Sequence, residues 1–317
     1  MRQSSSLAEA LIEGFRSDED VEGIAAESEN SVIERLSELR AVVGIMNGKP
    51  ELISRYHTSP LKIAKTFPLI GNDGWKQLAV VQMDGSPGLL EGDRYTFDWQ
   101  LQKNAKLYAT NQAYTRVHPC ESESGNSRLR HRFSLAAGAV LEWMPEPVTL
   151  FREARFVTET EIDLAEGSVC MVGDIFCPGR LSRGEAFAFH SYDAKVIVRY
   201  KGELVHYQRQ KWEPAILPIE NAGCFGGFTH VGAFSVFSDR VTAEVAVKMR
   251  EALESAEGIP EGVSWGVART ARHGIVVQAA GHAAWKLQRL LLSAWDSARQ
   301  QLLNQPPLRL LKEAWMR

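Results

Sequence analysis

From Leu39 to about Trp212 the chain alternates apolar and polar residues with a period of two, and no long helical repeat interrupts the pattern. In "RYTFDWQL", Tyr95, Phe97, Trp99 and Leu101 share one face. In "SRLRHRFSL", Leu129, His131, Phe133 and Leu135 share one face and Arg128, Arg130 and Arg132 the other. The segments "KQLAVVQMD", "RFVTETEIDL", "SVCMVGDIF", "AFAFHSY", "KVIVRY" and "GELVHYQR" read as strands too. Successive side chains of a strand point to opposite faces, so the alternation marks half-buried strands. "LRAVVGIMNGKPELISRYH" adds a hairpin at Asn47-Gly48, because both residues accept positive φ. Short turns rich in Gly, Pro or Asp join most of these segments. Alternating βαβ units are excluded, and a mainly β, antiparallel-rich architecture is expected.

Helical spacing returns near the C-terminus. Val241, Val245, Met249 and Leu253 recur every four residues. "VSWGVARTARHGIVVQAAG" reads as another hairpin, and His282 to Leu303 as the strongest helix, stopped by Pro306 and Pro307. The closing "LRLLKEAWMR" is basic and apolar, suited to packing on the body or meeting a partner. At the other end, "SDEDVEGIAAESEN" is acidic and poor in aromatics. Leu7, Leu11 and Phe15 repeat at helical spacing, and Ser31 and Glu34 have capping-box spacing. Residues 1–36 are therefore expected to form a helical or disordered extension, and 37–317 a β domain ending in helices.

Charge narrows the partners. With 36 Lys+Arg against 39 Asp+Glu, the net charge is −3, and no basic excess points to nucleic acid or an anionic membrane. Cys120, Cys170, Cys177 and Cys224 form no CxxC pair and read as reduced thiols. The N-terminal residues lack the pattern of a secretory signal, and no apolar stretch reaches the length of a spanning helix. A soluble cytoplasmic protein is expected.

Four stretches hold residues of the types that carry chemistry. "GLLEGDRYTFDW" has a Gly-rich start, but Glu91 and Asp93 would repel phosphate and a strand follows where a helix is needed. Two acids are too few for a calcium loop. The segment reads as a turn in which Gly92 supplies unusual backbone geometry and Asp93 bonds turn amides. "VHPC" puts His118 and Cys120 on one side of an extended chain, a donor pair suited to zinc, nickel or copper(I), with no third ligand nearby in sequence. Glu142 and Glu146 of "LEWMPEP" offer paired carboxylates for glycosidase-type work, which keeps a β-fold hydrolase or ligand-binding module open. No nucleophile elbow or triad signature is present. "GRLSRGEAFAF" reads as a tight turn entering a strand, with a buried Arg–Glu interaction as a plausible addition.

These segments, taken in order with "YHTSPLKIAKTFP", "SPGLLEGDRY", "NQAYTRVHP" and "GAVLEWMPEPVTLFREARF", resemble the motifs of the urease accessory protein UreD (UreH) family. Asn111, Tyr114, Arg116 and His118 depart from the family's usual Thr, Ala, Lys and Tyr. The resemblance implies a mainly β, β-helix-like arrangement of strands with a few C-terminal helices. It also implies a non-catalytic chaperone or scaffold that binds UreF, which recruits the GTPase UreG, and that docks on apo-urease. Nickel would pass through its interior in transit, with no tightly bound cofactor. On that reading Asp93 and Glu185, then Glu142, are the polar groups expected to face the nickel path. Gln112 and Thr115 belong to a matching motif. Gly88, Gly92, Gly179, Arg180 and Gly184 are structural positions of the motifs.

Overall fold

The computed structural model describes residues 33–256 and 260–308. The helical spacing of Leu7 to Phe15 and nearly all of the closing "LRLLKEAWMR" lie outside the described residues. Strands are β1 (Arg35–Met46), β2 (Lys49–His57), β3 (Leu61–Ile70), β4 (Lys76–Asp84), β5 (Asp93–Leu101), β6 (Lys106–Asn111), β7 (Thr115–Val117), β8 (Ser127–Leu135) and β9 (Val140–Trp143). They continue as β10 (Val148–Leu150), β11 (Arg155–Leu164), β12 (Val169–Cys177), β13 (Ser191–Tyr200), β14 (Glu203–Trp212), β15 (His230–Phe237), β16 (Ser264–Arg269) and β17 (Gly274–Gly281). Two helices, α1 (Ala243–Ser255) and α2 (Ala284–Ala298), complete the body.

The capping-box spacing at Ser31 and Glu34 does not start a helix, because Arg35 onward is strand. Leu36 is exposed while Leu39, Ala41 and Val43 are buried, the alternation of a sheet. Pairing on both sides, antiparallel to β2 and parallel to β5, decides against the local helical signal. The Asn47-Gly48 hairpin forms as expected, with both residues at positive φ.

One sheet runs β14-β13-β11-β8-β5-β1-β2. The larger sheet runs β16-β17-β15-β12-β9-β6-β4-β3, with β10 beside β12 and β7 beside β10. From β4 to β13 the long strands alternate between the two sheets, and within each they pair parallel. The antiparallel-rich expectation is thus corrected to mixed sheets. A short turn makes a hairpin only if it returns the chain to its own sheet. Here the residues after Leu101 hand the chain to Lys106 on the facing sheet, and period-two patterning is blind to that choice.

Between the sheets lie Leu39, Trp99, Phe133, Trp143 and Phe156, all nearly solvent-free. Each such side chain contributes about 1.5–3 kcal/mol by leaving water. A second apolar layer joins α1 and α2 to the opposite face of the larger sheet, through Tyr108, Met171, Phe234, Met249, Leu287 and Trp295. Both helices match the spacing that predicted them. Thr242 caps α1 by accepting from the Val245 amide, and α2 continues as a π-helical turn, Arg299–Leu303, that ends at Asn304 in left-handed conformation before the prolines.

Candidate functional site

The segment that begins at Gly88 is tied to the one containing Thr115. The Leu89 amide donates to the Arg116 carbonyl (2.8 Å), and the His118 amide donates to the Leu89 carbonyl (2.9 Å). Gly88 has φ +138°, and a Cβ there would sit 2.5 Å from the Arg116 oxygen. Only glycine lets the two chains approach so closely. Asp93 Oδ2 accepts from the Leu90 amide (2.7 Å), and Oδ1 accepts from Arg35 Nε (2.8 Å). The acid closes the turn, as its position in the sequence suggested. Glu91 accepts from the Ser122 hydroxyl and from the amides of Glu121 and Ser122, and these bonds, the hydroxyl first, lower its pKa. Both acids are thereby committed to the protein.

Beside this junction is a cavity of about 210 Å³, lined in part by Gln82, Tyr95, Gln112, Tyr114, Thr115 and His131. The Gln112 amide donates to the Gln82 carbonyl (2.9 Å), and the Thr115 amide to the Pro147 carbonyl (3.0 Å). Gln82 Oε1 accepts from Trp99 Nε1 (2.6 Å). His131 stacks on Phe97 at 4.9 Å, and burial pushes its pKa down to about 4, so the imidazole is neutral near pH 7. Burial likewise pushes the Tyr95 hydroxyl up to about 12. Period-two alternation put His131 on an inward face but carried no sign of a cavity there.

Glu185 sits in a different loop, and the strand expected from "AFAFHSY" begins only at Ser191, because the Glu185 and Phe187 amides turn back to the Arg180 and Pro178 carbonyls instead of to a neighbouring strand. Arg180 grips it bidentately, Nε to Oε2 at 2.7 Å and Nη2 to Oε1 at 2.6 Å, and this lowers the Glu185 pKa. The guanidinium also lies 4.3 Å over the Phe151 ring. Gly184 turns the loop in left-handed conformation, and at Gly179 a Cβ would meet the Glu185 carbonyl oxygen at 2.1 Å. The Arg–Glu pair is half-exposed on its arginine side, with the guanidinium residue's side chain 35% accessible.

Glu142 faces the helix layer, away from the space between the sheets, since its strand neighbours Leu141 and Trp143 fill the inter-sheet core. It is fully buried. Oε1 accepts from Gln77 Nε2 (2.7 Å) and Oε2 from Trp295 Nε1 (2.6 Å), while Arg299 Nη1 bonds both oxygens. Arg299 Nε donates onward to the Pro306 carbonyl (3.0 Å). Trp295 and Arg299, one helical turn apart, were missed by sequence reasoning. Glu146 accepts from Gln288 (3.2 Å). With Glu142 closed off from water and its oxygens engaged, it is not available as the acid or base of a paired-carboxylate hydrolase.

The remaining donor pair is equally committed. The His118 ring meets the Pro87 carbonyl (3.3 Å) and the edge of Phe151, and the buried Cys120 thiol is raised by its burial. Among the described residues, no group of three or more His, Cys, Asp or Glu is placed to hold a metal. Asp93, Glu185 and Glu142 keep separate partners. Gly88, Gln112 and Thr115, by contrast, border one cavity.

Comparison with known proteins fits this geometry of interlocked motifs. The UreD urease accessory protein family matches residues 36–312. The urease accessory protein UreD of Acetivibrio thermocellus is 32% identical over 247 residues, covering 78% of this chain and 91% of its own. Those of Haloquadratum walsbyi (29% identical, 83% of this chain and 84% of its own) and Actinobacillus pleuropneumoniae serotype 5b (28% identical, 77% and 89%) are similar over comparable lengths. The chain belongs to the UreD family of urease accessory proteins.

Proposed function

We propose that the protein serves urease maturation as a non-catalytic scaffold that binds apo-urease and, with UreF and the GTPase UreG, helps deliver nickel to the urease active site. Family membership supports the role in maturation. One structural observation supports the scaffold reading: the motif acids Glu91, Asp93, Glu142 and Glu185 are all spent on backbone amides, hydroxyls or arginines. Such groups hold strands and loops in register instead of turning over a substrate.

Nickel is cargo in this reading. A transit route needs weak ligands, and neutral oxygens such as those of Gln112 and Thr115 bind nickel more loosely than nitrogen or sulfur donors do. In this reading Asp93 and Glu185 stand along the wall of that route and shape it through their bonds to Leu90, Arg35 and Arg180. Exposed apolar residues, among them Ile33, Leu36, Ile70 and Ile216, supply surface for the partners. No helix among the described residues is long and apolar enough to cross a membrane.

Deleting the gene from a urease-positive host tests the role. Urease should accumulate as inactive apoenzyme, partly rescued by high nickel, and normal nickel content and activity after deletion would refute it. Asp93→Asn and Glu185→Gln should lower activation while leaving UreF binding intact; full activation in both variants would remove these acids from the route.

A further inference from the structure

The short ladder of β7 and β10 lies off the long strand order of the larger sheet. Its Val117 and Leu150 are fully buried, whereas Arg116 is exposed and His118 and Phe151 are half-buried. Side chains alternate along an extended chain, so these last three share the outer side. Phe151 prolongs the ladder, its amide donating to the Val117 carbonyl (3.0 Å). The His118 ring meets the Phe151 ring at 5.2 Å, and the Arg180 guanidinium lies over the same ring at 4.3 Å. Leu90, next to the bridge between Leu89 and Val117, is exposed, and so is Leu181, next to Arg180. Segments far apart in sequence thus meet around one aromatic ring.

The face carries a surplus of positive charge. Residues 88–90, 115–119, 150–153 and 179–185 hold four arginines against two glutamates. One of those acids, Glu185, is buried and gripped by Arg180. Arg152 and Arg183 lie near enough to act on it through their charge. Yet among the described residues the side chains of Arg116, Arg152 and Arg183 form neither an ion pair nor a hydrogen bond. Arg94, Arg132, Arg199 and Arg209 of the smaller sheet differ, each having an acid within reach.

Arginine and aromatic side chains are the types that interface centres favour. A guanidinium takes a carboxylate through two parallel hydrogen bonds. The chemistry that completes this face is therefore acidic, with apolar side chains among the acids to cover the leucines and the ring. A nucleic-acid backbone fits less well. The chain as a whole carries a charge of −3, and a phosphate backbone held by charge makes no use of the two leucines. We propose that this face docks an acidic segment of a partner protein, its carboxylates meeting Arg116, Arg152 and Arg183 and its apolar side chains resting on Leu90, Phe151 and Leu181.

The two kinds of contact have separate signatures. Charges at an open surface steer a partner and are screened by salt, so added salt should slow association. Apolar anchors hold the docked segment, and their loss should show in the rate of dissociation. Arg180 serves as a fixed centre, since Glu185 and the Phe151 ring hold its guanidinium before any partner arrives. The proposal rests on the scaffold reading in one respect, that the protein works through protein partners. The gene deletion described above tests that reading separately, so the docking face can fail while the maturation role stands.

Fluorescence anisotropy with the full chain tests it, using the labelled, blocked peptide Ser-Glu-Asp-Leu-Glu-Phe-Asp-Glu-Leu-Ser. The peptide should bind saturably, and its counterpart with Gln and Asn for the acids about tenfold more weakly. Joint charge reversal, Arg116→Glu with Arg152→Glu and Arg183→Glu, should weaken binding by at least about tenfold and flatten its salt dependence. The same three positions changed to Gln give a milder variant should the reversal impair folding, which circular dichroism checks. Lys49→Glu with Arg55→Glu and Lys62→Glu makes the same charge change on exposed positions of β2 and β3 and should leave binding within about twofold. Leu181→Ser should speed dissociation severalfold and keep the salt dependence. No saturable peptide binding below about 1 mM, or equal binding by the folded Gln variant, overturns the proposal. So does tighter binding to a DNA duplex or to inorganic phosphate than to the peptide, which would assign the arginines to another ligand.

Discussion

The space between the sheets is built differently at its two ends. Around β5, β8 and β9 it is filled by Trp99, Phe133 and Trp143, with the Phe133 and Trp143 rings 5.7 Å apart. Around β14, β15 and β17 it opens into a groove floored by Asp174 and walled by glutamines. Connectivity accounts for the difference. Where successive strands alternate between sheets, every turn of chain pins one sheet to the other. After β13 the smaller sheet grows by the β13–β14 hairpin, and the larger by antiparallel β15 and β17. Each layer is then extended on its own, and no short crossover holds the pair together.

The contrast can be broken where charge is buried. Arg299→Ala leaves Glu142 charged, sealed and short of its cation, which should cost about 3–5 kcal/mol in denaturant unfolding. Asp174→Ala removes a charge that has no partner, so at pH 7 it should cost no stability and, if anything, raise it. Similar losses in the two variants would mean that the groove carboxylate is as structural as the buried one.

Titration sharpens the same comparison, with a smaller effect. The folded pKa of His131, about 4, lies below its unfolded value of about 6.5. The unfolded chain therefore binds the proton more readily, and stability falls as pH drops from about 6.5 to 4, by on the order of 2–3 kcal/mol. Asp174 runs the other way: its folded pKa, about 6, lies above the unfolded value, so its contribution improves as pH falls from about 6 to 4. His131→Phe should flatten the acid loss seen in urea melts at pH 7, 5.5 and 4.5. Asp174→Asn should steepen it, and this second change is the smaller because water reaches the carboxylate.

What the sequence made legible follows from distance along the chain. The Asn47-Gly48 hairpin, the Asp93 turn and the Arg180–Glu185 pair each close within a few residues, and local patterning found all three. The strands were legible because alternation is intrinsic to a strand, whereas their partners depend on which sheet receives the chain. The arginines of β8 show the limit. Arg128, Arg130 and Arg132 read as a basic face, but parallel register sets Arg130 beside Glu159 and Arg132 beside Glu161 of β11, with Lys195 of β13 completing a ladder of opposite charges. Glu142 was noticed as an acid, yet its partners lie 153 and 157 positions away. Asp174 left one trace, an acid inside the apolar run "SVCMVGDIF".

The link between Glu142 and Arg299 has a consequence for biosynthesis. The ribosome makes β4 and β9 long before α2, so the sheet face carrying Tyr108 and Met171 waits without its cover. Gln77 and Glu142 wait with it, set on β4 and β9 at either side of β6 but lacking the tryptophan and arginine that complete the network. The last helix thus finishes a surface prepared by the first half of the chain, and contacts of such long sequence separation form slowly. A nascent chain cut short before Arg299 would hold a buried acid with no cation and an apolar sheet with no roof.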